Sequence, residues 1–216
     1  MSAPRTLTVD ALADELAALA DILGHDERRV VAIAGPPGSG KSTLAERLAE
    51  RLNRDSEVAA ILPMDGFHYD DEVLVPRGWR PRKGAPHTFD VGGYAALLIR
   101  LRANEEDEIA VPRFDRTLEI ARAGARMIPR SVKLILTEGN YLLLRDAPWA
   151  ALADHFDLTV MLRQTEATLR ERLTARWIHF NLDEAAIRAK LEDNDLPNGR
   201  RVLSESRPAD IEIPDD

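Results

Sequence analysis

The chain of 216 residues carries 44% hydrophobic and 31% charged residues, a formal net charge of −8 and no cysteine. That length suits one domain with one sizeable core, and the excess of acid disfavours a phosphate-backbone partner such as nucleic acid. The lack of thiols excludes a disulfide framework, a zinc–thiolate site and a cysteine nucleophile together.

Leu12, Leu16, Leu19 and Leu23 recur at helical spacing, and Gly24 ends the pattern. No apolar signal core precedes them in MSAPRTLTVD, and no run anywhere approaches the ~20 apolar residues that span a bilayer. A cytoplasmic protein without membrane insertion is therefore expected. The apolar run Val30 to Ala34 reads as a buried strand. It leads into Gly35-Pro36-Pro37-Gly38-Ser39-Gly40-Lys41-Ser42, which fits the phosphate-loop pattern G-x-x-x-x-G-K-[ST], and then into an amphipathic helix over Ser42 to Asn53. Val58 to Leu62 reads as a second strand, and Pro63 to Asp90 as a proline-, glycine- and charge-rich segment too polar to be core. Val91 to Arg102 reads as a helix and Ile109 to Val111 as a short strand, and the region from there to Pro129 is ambiguous. Val132 to Leu136 and Asp157 to Leu162 are buried parallel strands, Thr165 to Phe180 and Asp183 to Asn194 charged helices, and Ala209 to Ile213 an edge strand. Strands alternating with helices imply an α/β fold. Its mostly parallel sheet is covered on both faces, with the ligand at the C-terminal strand edge.

The loop residues each have a physical task. Gly35, Gly38 and Gly40 permit backbone conformations and close approaches that a Cβ forbids. Consecutive N–H groups at the helix start make an anion nest, in which Pro37, Ser39 and Thr43 complete the candidate nucleotide site. Lys41 supplies a point charge to the β- and γ-phosphates, and the Ser42 hydroxyl can ligate Mg²⁺. A guanine-reading N-K-x-D element is absent, which counts against a GTP switch. In place of the motor-type strand ending in Asp stands LILTEG, where Glu138 can hold a metal-bound water or neutralise a phosphate clamp, or simply be solvated. Asp65, in ILPMDGFHYDD, lies just past the second strand, on the same sheet edge. It can accept a hydroxyl proton, orient Mg²⁺ through water, or serve as a turn aspartate.

Five ordered motifs, GPPGSGKS, MDGFH, RKGAPHTFD, PRFDR and TEGNYLLL, resemble the P-loop kinase group of uridine kinase, pantothenate kinase and phosphoribulokinase. The closest resemblance is to bacterial fructose-transport-system kinases of the nucleoside/nucleotide kinase family, and it runs from about Val30 to Val202. It implies a P-loop NTPase fold over residues 1–216, with a central parallel sheet of about five strands and a helical lid at about residues 165–182. It also implies ATP and Mg²⁺ as cofactors, a small-molecule hydroxyl acceptor, and Asp65 as catalytic base.

The resemblance bears on the acceptor as well. Gly84 stands where uridine kinases carry a ribose-binding aspartate, which moves the expectation from a nucleoside to a sugar or related polyol. RKGAPHTFD is nearer to the matching segment of pantothenate kinase, and Arg77, Arg80, Arg82 and Lys83 suit a sugar phosphate or a solvated loop. His68 can hydrogen-bond a substrate hydroxyl. Arg113, Asp115 and Arg116 offer two-hydroxyl pairing and a phosphate contact, or a structural salt bridge. Asn140 and Tyr141 directly follow Glu138-Gly139 and so approach the same mouth, unless Tyr141 starts a buried apolar run. Arg172 and Arg176 lie one helical turn apart on the lid and are the candidates for closing over the phosphoryl group. Trp177 and Phe180 either pack that helix or touch adenine, and DNDLPNGRRV resembles a C-terminal segment near the base. A nucleotide-binding sensor or transporter accessory protein is the reading from another class, and the oligomeric state is left open, a homodimer included.

Overall fold

The computed structural model describes residues 3–215. Its strands, in chain order, are β1 (Arg5–Thr6), β2 (Arg29–Ala34), β3 (Ala59–Pro63), β4 (Glu108–Asp115), β5 (Ile120–Pro129), β6 (Leu134–Gly139), β7 (Leu158–Leu162) and β8 (Ile211–Ile213). The helices are α1 (Val9–Ile22), α2 (Lys41–Leu52), α3 (Asp71–Leu74), α4 (Val91–Ala103), α5 (Glu166–His179), α6 (Glu184–Lys190) and α7 (Leu196–Glu205). Six strands form one parallel sheet in the order β1-β8-β7-β2-β6-β3, and β4 and β5 form a separate antiparallel hairpin.

Residues 30–34 read as an unbroken apolar run because both faces of β2 are buried. Val30, Ala32 and Ala34 pack with Tyr94, Leu98 and Trp149 on one side. Val31 and Ile33 pack with Leu12, Leu16, Leu44 and Leu48 of α1 and α2 on the other. Side-chain caps start the helices that frame the sheet: Thr8 accepts from Ala11 N at 3.2 Å, Asp90 from Gly93 N at 2.8 Å, and Thr165 from Thr168 N at 3.2 Å. The register aligns the ligand edge. Glu138 stands opposite Ile33 of β2 and Pro63 of β3, so the phosphate loop, Glu138 and Asp65 all leave the sheet together.

Four sequence expectations change. The sheet has six strands rather than about five, because Arg5–Thr6 adds beside β8. The short strand at Ile109 to Val111 is a full strand, and the stretch to Pro129 is its hairpin partner. The segment from Pro63 to Asp90 does contribute to the core through Met64, Leu74, Ala85 and Phe89. The helix expected to reach Asn194 stops at Lys190 and passes through a π-type turn, Leu191–Asp195, into α7. Helices α5 and α6, this turn and the start of α7 share a small core of Leu169, Leu173, Ile187, Leu191 and Leu196.

Candidate active site

A cavity of about 890 Å³ opens along the C-terminal edge of the sheet, within the range of small-molecule sites. Its floor is the phosphate loop. Gly38 and Gly40 sit at φ +81° and +91°, left-handed conformations that turn successive N–H groups toward one point. Lys41 is 7% exposed, and its Nζ donates to the Pro36 carbonyl at 2.9 Å. Burial lowers its pKa from 10.5 to about 8, against the opposing pull of Glu138 and Asp65. The Ser39 Oγ is buried with no hydrogen-bond partner. An unanswered hydroxyl and a desolvated ammonium in one nest are groups that a phosphate would satisfy.

Ser42 Oγ donates to Glu138 Oε1 at 3.1 Å. Glu138 is buried rather than solvated; that burial, with Asp65 nearby, pushes its pKa up. Among the described residues no three His, Cys, Asp or Glu side chains close a metal site by themselves. Such a donor set suits Mg²⁺, which keeps waters and takes phosphate oxygens beside one or two protein ligands. Ser42 and Glu138 are the residues that would hold it.

Asp65 lies in a 3₁₀ turn, Met64–Phe67, directly after β3. A Cβ on Gly66 would come within 2.9 Å of the Pro112 carbonyl, so glycine here lets β4 rest directly on this turn. Asp65 Oδ2 accepts from Arg116 Nη2 at 2.7 Å. Burial alone would raise the Asp65 pKa, but His68, Arg116, Lys41 and Arg176 together pull it below the ordinary carboxylate value, so the group stays ionised at neutral pH. The His68 ring lies between Phe89 and Phe114, at 4.1 and 4.7 Å between centroids, and its Nδ1 is 2.8 Å from the Asp65 carbonyl. Burial lowers its pKa and favours the neutral ring.

Asp65, His68, Arg116, Asn140, Arg172 and Arg176 all line the cavity, with the loop residues from Pro37 to Thr43 and Glu138; Gly35 forms the base of the loop. Arg172 sits 3.8 Å from Asp215, and Arg176 lies over the Trp177 ring at 5.2 Å. Three expected substrate residues stand elsewhere. Tyr141 is fully buried beside Phe89 and Trp149 and donates its hydroxyl to the Gly84 carbonyl at 2.5 Å, supporting the wall from behind. Asp115 is a turn residue, accepting from Thr117 N and Leu118 N at 3.1 Å and from Arg122 Nη1 at 3.1 Å. Arg113 pairs in register with Arg122 on the hairpin, and neither Arg113 nor Asp115 is part of the cavity lining. The cavity also gathers residues that were given no role from the sequence: Phe114, Glu119, Lys190 and Asp195. Asp195 ends the π-type turn and accepts from Trp177 Nε1 at 2.7 Å. DNDLPNG was the only signal for it, and that signal did not single out the second aspartate.

The family model described as AAA domain matches residues 31–188. An Escherichia coli protein named YggC is 38% identical over 91% of this chain and 81% of its own. A Schizosaccharomyces pombe protein named as a putative uridine kinase is 33% identical over 82% of this chain and 79% of its own. A Listeria monocytogenes pantothenate kinase is 29% identical over 73% of this chain, which spans about half (51%) of that protein. Among solved structures, a Silicibacter protein described as a putative fructose transport system kinase superposes with a TM-score of 0.87 at 38% identity, covering 96% of this chain and 100% of that one.

Proposed function

The chain belongs to the P-loop kinases, the group that includes uridine and pantothenate kinases, and from that premise we propose that it transfers the γ-phosphoryl group of ATP to a hydroxyl of a sugar of the fructose type or a related polyol. The observation that carries the reading is the shared edge on which Lys41, the Ser42–Glu138 pair and the Asp65–Arg116 pair converge. A sensor needs the phosphate nest but has no use for an ionised carboxylate facing it across the acceptor space.

In this mechanism the acceptor oxygen bonds to the γ-phosphorus as the bond to the ADP oxygen breaks, and the hydroxyl proton passes to Asp65 Oδ1 or Oδ2. Arg116 holds the Asp65 carboxylate in place and ionised. The loop N–H groups and Lys41 take the phosphate charge, and Arg172 and Arg176 lie on the lid helix that completes the surroundings of the moving group. Mg²⁺ bound at Ser42 and Glu138 would supply further neutralisation of the phosphates. Phosphoryl transfer passes through a loose transition state in most analyses, so positioning and electrostatics carry most of the acceleration.

A nucleoside acceptor is the second reading, favoured by the name of the fission-yeast relative. Against it, Gly84 supplies no carboxylate at the rim, where its φ of +98° also suits glycine. ADP release measured with sugars, polyols, uridine, cytidine and pantothenate in turn tests the choice. Stimulation by a sugar or polyol supports the proposal. Stimulation by uridine alone replaces it with the nucleoside reading, and no stimulation by any acceptor favours the sensor.

A further inference from the structure

We propose that Lys83 is a positioning residue that pins the tip of the β4–β5 hairpin to the cavity rim and so holds Arg116 against Asp65; the proposal rests on the role given to Asp65 above. Lysines are seldom buried unless paired, yet the Lys83 side chain is only 6% exposed. Its Nζ donates to Asp71 Oδ1 at 2.9 Å and to the Glu119 carbonyl at 2.7 Å, and it lies 5.7 Å from the Phe114 ring centre. Asp71 is itself braced by Arg80 Nε at 2.6 Å. The Lys83 carbonyl in turn accepts from Asn194 Nδ2 at 3.2 Å, which brings the π-type turn to the same point.

The hairpin needs such a fastening. A two-stranded ribbon is marginal alone, and most of β5 is exposed. Its turn is closed internally by Asp115, while Glu119 adopts a left-handed φ of +57°, a conformation that a non-glycine residue keeps only when its surroundings hold it. Two side-chain hydrogen bonds tie the tip to the cavity: Lys83 to the Glu119 carbonyl, and Arg116 to Asp65. Arg116 is 45% exposed and cannot fix the tip by burial. Lys83 can, because its ammonium is already anchored to Asp71 on the rim. Lys83 thus acts on the base through Arg116, from its own place in the cavity lining.

Hydrogen-exchange mass spectrometry on the full chain tests the fastening, and a double-mutant cycle tests the route. In Lys83→Met the amides of residues 115–120 should exchange roughly 10- to 100-fold faster, while exchange in β2 and β6 stays unchanged. ADP release is then followed at saturating MgATP with D-fructose, uridine and pantothenate as probes. Lys83→Met should lower kcat roughly 10- to 100-fold with little change in acceptor KM. Adding it to Arg116→Met should lower kcat by no more than about twofold beyond Arg116→Met alone. Tip exchange within about twofold of wild type overturns the proposal, as do losses that multiply in the double variant or a Lys83→Met effect confined to acceptor KM. Should Lys83→Met not fold, Lys83→Gln, which drops the charge but keeps a donor, is judged by the same criteria. Asp65→Asn measured alongside reports on the base and not on the fastening, and the exchange result holds whichever probe is turned over, so the two failures are distinguishable.

Discussion

Replacing Lys41 by methionine should make the nucleotide-free protein more stable while abolishing its response to nucleotide. Lys41 is almost wholly buried, and burial lowers its pKa from 10.5 to about 8. A cation whose folded pKa lies below its unfolded value binds its proton less tightly in the native state, so folding is penalised wherever the unfolded lysine is charged. At about 1.4 kcal/mol per pKa unit, the full penalty, present below pH 8, is roughly 3 kcal/mol. Methionine preserves the stem but leaves the Pro36 carbonyl without its donor, which costs about 1 kcal/mol. The net gain of roughly 2 kcal/mol corresponds to a rise of about 4–8 °C in Tm for a chain of this size. Between pH 8 and 10.5 the wild-type penalty falls as the folded lysine loses its proton, so the advantage of the variant should shrink as pH rises through that window. Thermal melts at about pH 7 and about pH 10, with and without MgATP, read all of this. Wild type should melt higher with MgATP, and Lys41→Met should not. A variant that melts below wild type near pH 7, or a gap that does not narrow near pH 10, would refute the electrostatic reasoning. An undiminished MgATP response would refute the loop assignment.

Asp65→Asn should keep ATP affinity and reduce kcat by ~10²–10⁴-fold, and turnover within about threefold of wild type would remove Asp65 as the base. A metal-orienting role would instead show as an altered Mg²⁺ dependence, partly restored by excess metal. Uridine and cytidine should be poor acceptors beside a sugar or polyol in the ADP-release assay, and robust uridine turnover with every sugar inert would sink that expectation. Arg28→Met should lower the denaturant midpoint with no change in m-value, because Arg28 is 3% exposed and donates to the carbonyls of Val132, Pro129 and Leu101 at 2.8, 2.8 and 3.1 Å. Orphaning three buried carbonyls at about 1–3 kcal/mol each outweighs the roughly 3 kcal/mol recovered by removing a guanidinium whose pKa burial lowers to about 10. A midpoint within error of wild type would show that those carbonyls find other partners.

The strand–loop–helix from Arg29 to Leu52 was legible because its signals are local: a buried apolar run, glycines at the turn, and a 3.6-residue apolar stripe. The hairpin was not. Ala121 to Met127, ARAGARM, lies largely exposed; it alternates small apolar residues with arginine and glycine but holds no β-branched or aromatic residue, so the period of two is carried by residues that mark a strand only weakly. The segment from Pro63 to Asp90 looked purely polar because its apolar anchors, Met64, Leu74 and Phe89, fall at no regular interval, while Asp71, Arg80 and Lys83 neutralise one another in space. Asp115 and Tyr141 differ in this respect. A motif brought each to the right neighbourhood, but Tyr141 is held by the Gly84 carbonyl, a partner far along the chain, whereas Asp115 is turned aside by its own neighbours, Thr117 and Leu118, once the hairpin turn forms. The π-type turn that carries Asp195 likewise depends on bonding that no residue spacing announces.

The pairing of β1 with β8 has an architectural consequence. Arg5 N donates to the Asp210 carbonyl at 2.9 Å and Leu7 N to the Glu212 carbonyl at 3.2 Å, so segments near the two ends of the chain lie side by side. A layout whose first and last strands touch behaves as a closed circuit, in which the starting residue is a matter of convention. Because the two strands run parallel, β1 is entered at one edge of the sheet and β8 is left at the other, beside the cavity lined by Ile213 and Pro214, so a linker joining the two segments must span the height of the sheet, and the exposed turn of residues 105–107 is the place to cut. One stretch cannot be interrupted: β2 must run unbroken through the loop into α2, because the nest exists only where that strand delivers the chain to the start of that helix.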